Sequence, residues 1–256
     1  MTDQPQPCIN CGHTGSGHFC SNCGQKLELQ SITWKYVASE FLDRWFGIDT
    51  KFGRTVIDLF KRPAEVIKTF LAGNNIRHIG PLGYYIVMSA LLILLFEALN
   101  ISIDQFLMSN SESLGMNMSE QTTQQQEFQV LVNQWMAKNF RFIGGLMVPF
   151  LALGGKIFYR KTTYLHHMIT AAYFQSHTTW FSLIMLLIYK VSGYNASGIV
   201  MIVTTVYMMV AYMLVFNPGK KFKGLMKGLF IWLVGYFIMM IFAMVVGVTY
   251  LIMFHV

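Results

Sequence analysis

All four cysteines of the chain fall within CINCGHTGSGHFCSNCGQK, residues 8 to 26, as Cys8-x2-Cys11 and Cys20-x2-Cys23 separated by eight residues. Each pair can turn two thiolates toward one ion, and two pairs complete a tetrahedral four-sulfur shell. Gly12 and Gly24 each follow a second cysteine, where a positive φ lets backbone N–H groups approach sulfur. A shell closed by four protein ligands has no open position for water or substrate. The chemistry expected of Cys8, Cys11, Cys20 and Cys23 is therefore structural zinc binding. Metal binding would supply most of the folding free energy of so small a unit, of order 10 kcal/mol. Redox CxxC chemistry uses a single pair in a βαβ setting, which this segment lacks. His13 and His18 are alternative ligand types that four thiolates at this spacing make unnecessary.

The other residues with chemical potential lie in apolar surroundings, where an ionisable group is costly and a functional candidate by default. Glu97 is the only carboxylate within an apolar run. A polar cluster, Gln175, Ser176, His177, Thr178 and Thr179, interrupts another run near its middle. Helix rise puts Glu97 and His177 at similar depth, about 22 and 17 Å from the inner ends of their runs, where they could share a proton. The alternative is that Gln175, His177 and Thr179 hydrogen-bond between helices and hold them together. His166 and His167 lack acidic partners for a metal site. No nucleophile–base arrangement, phosphate-binding glycine loop or helix-borne carboxylate pair occurs, so no catalytic constellation is found.

The elements that must position these residues are those of a membrane protein. Of 256 residues, 54% are hydrophobic and 12% charged, against about 25% charged in ordinary globular chains. Five runs approach the roughly 20 apolar residues that cross a bilayer, at about 82–101, 142–159, 166–189, 199–216 and 228–254. Residues 1 to 30 contain no apolar signal-peptide region, so the run at Leu82 is expected to direct insertion. Sixteen of the 19 Lys and Arg fall inside if the N-terminus is cytoplasmic, which puts the C-terminus outside. A cytoplasmic N-terminus also keeps the cysteines reduced, favouring metal over disulfide. From Phe128 to Val256 there are ten bases and no acid, and anionic headgroups are the expected counterions.

Two segments complete the layout. Before the first span, Trp34, Val37, Ala38, Phe41, Leu42 and Trp45 follow helical spacing. A second helix is expected after Thr50, a third opening at Pro63 and stopping near Gly73. These helices are expected to lie in the headgroup plane, with Trp34, Trp45, Lys61, Arg62 and Arg77 at the interface. Residues 102–137 form an extracytoplasmic loop whose stretch SNSESLGMNMSEQTTQQQ reads as a flexible tether, followed by a helical pattern at Phe128, Leu131, Trp135 and Met136. Asn117 and Asn195 both open glycosylation sequons on this outer side. Glycines 144, 145, 154, 155, 224 and 228 allow close helix contact, and Pro149 is placed to kink the second span.

The double CxxCG motif with its CGQK ending (Cys8, Cys11, Gly12, Cys20, Cys23, Gly24, Gln25, Lys26) resembles an uncharacterised bacterial family of membrane proteins with a domain of unknown function. The resemblance extends through Thr55, Leu59, an Arg62-Pro63 turn, Leu71, Gly73, Arg77 and Pro81, and so covers residues 8 to about 90. The family implies a ribbon followed by a multi-span membrane domain, without an activity to carry over. This chain departs from it at Asn74-Asn75-Ile76, where the family pattern is more basic. A weaker, purely topological similarity is to the five-span Yip family.

The expected fold class is an all-α polytopic membrane protein with about five transmembrane helices, an N-terminal zinc ribbon over 1–27, amphipathic juxtamembrane helices over 28–81 and a membrane domain over 82–256. The expected partners are the lipid bilayer and a protein docked on the ribbon, with a homo-oligomer open and no nucleic acid. A membrane adaptor in the bacterial inner membrane is the leading function. A small transporter or channel using Glu97 and His177 is the alternative.

Overall fold

The computed structural model describes residues 5–24, 27, 51–74, 77–113, 122–217 and 219–254. They divide between two compact units, Met1–Asp49 and Thr50–Val256. The amphipathic helix expected over 34–45, with Trp34 and Trp45, lies outside the described residues, as do Gln25 and Lys26.

In the first unit, β1 (Gln6–Pro7) and β2 (Thr14–Gly15) form a short antiparallel ladder, Gln6 opposite Gly15 and Pro7 opposite Thr14. Leu27 returns to this ladder: its N–H donates to the His18 carbonyl, and its side chain is buried with Cys8 and Cys20. Among the described residues this core is Leu27 and the two cysteines, too small to stand without a further constraint.

The second unit is helical throughout its described elements. The order is α1 (Gly53–Lys61), α2 (Pro63–Leu71), α3 (Pro81–Ala98), α4 (Ile103–Ser113), α5 (Thr123–Lys138), α6 (Phe140–Phe158), α7 (Tyr164–Ser192), α8 (Ser197–Phe216) and α9 (Lys221–Phe254). Two of these helices open on proline, Pro63 in α2 and Pro81 in α3, where the missing N–H costs nothing and φ is preset. The Thr163 side chain caps α7 by accepting from the His166 N–H, satisfying one orphan donor of the first turn. Around α7 pack α3 and α6, and α9 packs on α6 and α8. Tyr84, Met88, Leu151, Tyr173, Phe174, Met208, Tyr212 and Ile231 fill the centre.

The five expected runs each coincide with one long helix, α3, α6, α7, α8 or α9. Three helices are long and apolar enough to cross a membrane: α3, α8, and α9 over Lys221–Ala243. The apolar part of α6 is shorter, Gly144–Phe158. In α7 the length suffices, but its first half carries His166, His167, Thr170 and the 175–179 polar cluster, which lowers its hydropathy.

The α1–α2 hairpin is packed on the bundle. Leu59, Val66 and Ile67 are fully buried in the bundle core, and α2 packs on α7 and α8. Much of the apolar stripe that suggested lipid contact thus meets the protein's own helices, while Ile57 and Phe60 stay exposed. Of the stretch expected as a tether, residues 109–113 belong to α4 and 123–126 to α5, while 114–121 lie outside the described residues; the helical pattern expected at Phe128, Leu131, Trp135 and Met136 lies within α5. A capping box starts α5: the Thr122 side chain accepts from the Gln125 N–H, and the Gln125 side chain accepts from the Thr122 N–H. That Thr-x-x-Gln signature stands in the polar stretch and was obscured there by its composition.

Close helix contact at the expected glycines is evident at Gly154 and Gly228. A Cβ on Gly154 would lie 2.7 Å from the Ile231 carbonyl oxygen, and one on Gly228 would lie 2.7 Å from the Met209 Cα. Both obstacles are backbone, which cannot swing aside. Gly154→Ala is expected to force α6 from α9 and destabilise the bundle by about 1–3 kcal/mol. Gly198→Ala, with nothing within 4 Å, should leave stability unchanged. Thermal unfolding in detergent compares the two.

Candidate functional site

The two CxxCG segments fold alike. The Cys8 carbonyl accepts from the Gly12 N–H at 2.8 Å, and the Cys20 carbonyl accepts from the Gly24 N–H at 2.8 Å. The turns close with φ of 73° at Gly12 and 74° at Gly24, a region where a Cβ is strained. In each pair the first cysteine is buried and the second exposed, so the segments face each other across one point. Cys8 and Cys23 Sγ are 3.6 Å apart, Cys11 and Cys20 Sγ 3.7 Å, and all four ligand atoms lie within 4.8 Å of one another. A tetrahedron of sulfurs around an ion at the usual 2.3 Å has edges of about 3.8 Å. The four expected ligands are thus brought together at the spacing that a single metal ion requires.

Electrostatics at the cluster point the same way. Backbone N–H groups of Cys11 and Asn10 hold the Cys8 thiol below its ordinary value. At Cys20 the Cys23 amide also lowers the thiol, but burial and the neighbouring thiols of Cys11 and Cys23 prevail and push it up to about 11. A bound cation would favour the thiolate form at both positions.

A second constellation lies at the base of α3 and was not assembled from the sequence. Asp58, 3% exposed, accepts from His78 Nε2 at 2.9 Å and from Arg62 Nε at 2.9 Å. Glu65 pairs with Arg62 at 3.1 Å and with Arg77 at 3.0 Å, and Arg77 closes the ring 3.7 Å from Asp58. Burial pushes the Asp58 carboxyl up, but the His78 and Arg62 hydrogen bonds and charges outweigh it and hold the group below the ordinary carboxylate range. Beside the ring, Thr55 Oγ1 accepts from the Ile79 N–H and donates to the Lys51 carbonyl. These bonds latch the α1–α2 hairpin to the strand of chain that leads into α3. Arg62 and Arg77, expected at the interface, are engaged with carboxylates here, while Lys61 is exposed.

The intramembrane candidates are not brought together. His177 is fully buried and its Nδ1 lies 2.8 Å from the Tyr84 hydroxyl, which also accepts from Trp180 Nε1 at 3.3 Å. Glu97 is exposed and stands thirteen residues beyond Tyr84 on α3, about 20 Å along its axis. The equal-depth expectation fails because α7 is offset along α3, so that His177 meets Tyr84 near the start of α3 and not Glu97 near its end. Thr178 Oγ1 donates to the Gln175 carbonyl within α7. Tyr84→Phe should leave the buried His177 Nδ1 and Trp180 Nε1 unpaired and lower the unfolding temperature, at a cost of about 2 kcal/mol.

His166 and His167 part as well: Thr163 holds the first, and the second is buried with Nε2 on the Tyr159 carbonyl. Asn195, expected as an outer glycosylation site, is buried and donates to Ser109 and Asn110 of α4. Asn117 lies outside the described residues.

Fold and site together define a mostly helical protein with helices long and apolar enough to cross a membrane, headed by a four-cysteine cluster able to hold a metal ion. Residues 49–93 match the family described as Protein of unknown function (DUF3667). The match spans α1, α2 and most of α3, and so contains every member of the Asp58 ring. It agrees with the resemblance to an uncharacterised family and gives no support to the Yip-like layout. No curated protein and no solved structure matches the chain.

Proposed function

We propose that this protein is an adaptor or scaffold of the bacterial cytoplasmic membrane, whose N-terminal zinc ribbon docks a protein partner on the cytoplasmic side. The observation that carries this reading is the closed sulfur cluster: all four positions of the shell come from the chain itself, leaving none for a substrate. Such a site shapes a surface and does no chemistry. Zinc is the ion that four thiolates at tetrahedral spacing suit best in a cytoplasmic setting. The ribbon also stands as its own compact unit and carries no charged side chain from Pro5 to Gly24. Ile9 and Phe19 are both exposed on it, as a contact surface requires.

The membrane part holds the ribbon at the bilayer, in this reading with five spans, the N-terminus inside and the C-terminus outside. The transporter alternative has less to rest on, since His177 is engaged with Tyr84 while Glu97 is far along the same helix. Gentle solubilisation of native membranes, followed by purification of wild type and of Cys20→Ser/Cys23→Ser at matched membrane levels, tests the adaptor. A protein recovered only with wild type is the expected result. The same partners with both, or none with either, would refute docking.

A further inference from the structure

At one end of the helical unit, four helices begin or finish together. Lys227 Nζ, near the start of α9, donates to the Phe158 carbonyl at 3.1 Å and sits 4.4 Å from the Tyr159 ring centre. The rings of Tyr159, after α6, and of His167, near the start of α7, each lie 4.9 Å from Phe216 at the end of α8. Lys156 Nζ donates to the Arg160 and Thr162 carbonyls at 2.8 Å each. Lys156 and Lys227 are thereby used as cations at the carboxyl end of α6, where the helix dipole favours them.

Arg160, Lys161, Lys220, Lys221 and Lys223 are different. All five are exposed, and none has an ion-pair partner among the described residues. No Asp or Glu occurs from Phe128 to Val256, so none of these four helices can supply one. Three of the five stand at the amino end of α9, where the peptide dipoles already present positive charge. Lys220 and Lys223, and Lys223 and Lys227, fall at the i,i+3 and i,i+4 spacings where like charges repel. Nothing among the described residues offsets this arrangement, and an external anion would. Phe222, 79% exposed, stands between Lys221 and Lys223. A soluble anion has no use for that ring, whereas a lipid offers phosphate to the ammonium groups and acyl chain to the phenyl.

We infer that Arg160, Lys161, Lys220, Lys221 and Lys223, together with Phe222, form a docking surface for the headgroups of anionic phospholipids. The surface is independent of what the ribbon binds.

The test uses the full chain in an uncharged detergent, with fluorescent phosphatidylglycerol diluted into phosphatidylcholine. Wild type binds the anionic lipid, with affinity falling as salt rises. In Lys220→Gln/Lys221→Gln/Lys223→Gln, affinity drops on the order of 100-fold, roughly a factor of five per lysine, and arginine at the same positions retains it. Lys138→Gln/Lys190→Gln, at the opposite helix ends, leaves affinity unchanged. Unchanged binding by the triple variant, or an equal loss in the control, would overturn the proposal. Displacement of the lipid by an equal concentration of inorganic phosphate would also overturn it, by making the surface a phosphate site. If the triple variant fails to fold, Lys220→Gln and Lys221→Gln taken singly carry the test at about fivefold each.

Discussion

Replacing Cys20 and Cys23 with serine will strip the purified chain of its metal, from one ion per chain to none, and unfold the ribbon. The shell of four sulfurs loses half its donors, and the remaining thiolates cannot close a structural site. Among the described residues the core around the cluster is Leu27 and two of the cysteines themselves, and ion binding worth of order 10 kcal/mol is most of what folds the ribbon. Elemental analysis of the full chain in detergent gives the stoichiometry, and limited proteolysis before residue 50 reports the unfolding. The helical unit should keep its unfolding temperature, because it forms a separate compact unit with its own core. Metal retained by the serine variant would mean that the ligands lie elsewhere.

The second large effect is expected at Asp58. Asp58→Ala leaves Arg62, Arg77 and His78 gathered around a buried position without the carboxylate that pairs them. Losing one partner of a buried charge cluster costs about 3 kcal/mol, at the lower end because both arginines reach solvent. The loss should free the α1–α2 hairpin first, so hydrogen exchange at Gly53–Leu71 rises more than exchange in α3. The pH dependence follows from the direction of the shift. Asp58 is held below its ordinary value of about 3.9 in the fold, so its contribution is complete above that value. It is lost as pH falls through the lower, folded value. Wild-type protection of the hairpin should therefore persist through neutral and mildly acidic pH and fail only in strong acid. In Asp58→Asn that acid step should be absent. Exchange unaltered by Asp58→Ala would show that packing of Leu59, Val66 and Ile67 alone holds the hairpin.

These two sites were legible in the sequence to very different degrees, for a physical reason. The four cysteines that could hold a metal ion come from two short turns within 16 residues, and their geometry is a matter of local backbone, so spacing alone grouped all four. The Asp58 ring joins residues 20 apart across a hairpin. Only its i,i+4 contact of Asp58 with Arg62 and its i,i+3 contact of Arg62 with Glu65 were visible as helical spacing. Those two pairs were a usable sign that Arg62 faces a carboxylate. Arg77 and His78 carried no such sign, since their partners are set by how the chain folds back.

Whereas α4 carried no such sign, the long helices and the α1–α2 hairpin were readable from apolar runs, periodicity and the prolines and glycines that bound them. Their depth was not. The pairing of Tyr84 with His177 spans 93 residues and depends on how α3 and α7 are offset along each other, which no count of apolar residues reveals. The α1–α2 hairpin shows the same limit: an amphipathic stripe has the same pattern whether lipid or protein covers it.

The docking claim is tested most directly at the ribbon surface. Ile9 follows Cys8 in the sulfur cluster and is 69% exposed, so a photo-crosslinking residue there should leave the fold intact. Irradiated in native membranes, the full chain should give one discrete protein adduct, absent when Cys20→Ser/Cys23→Ser is introduced as well. No protein adduct, or the same adduct from the cysteine variant, would contradict a partner held by the folded ribbon.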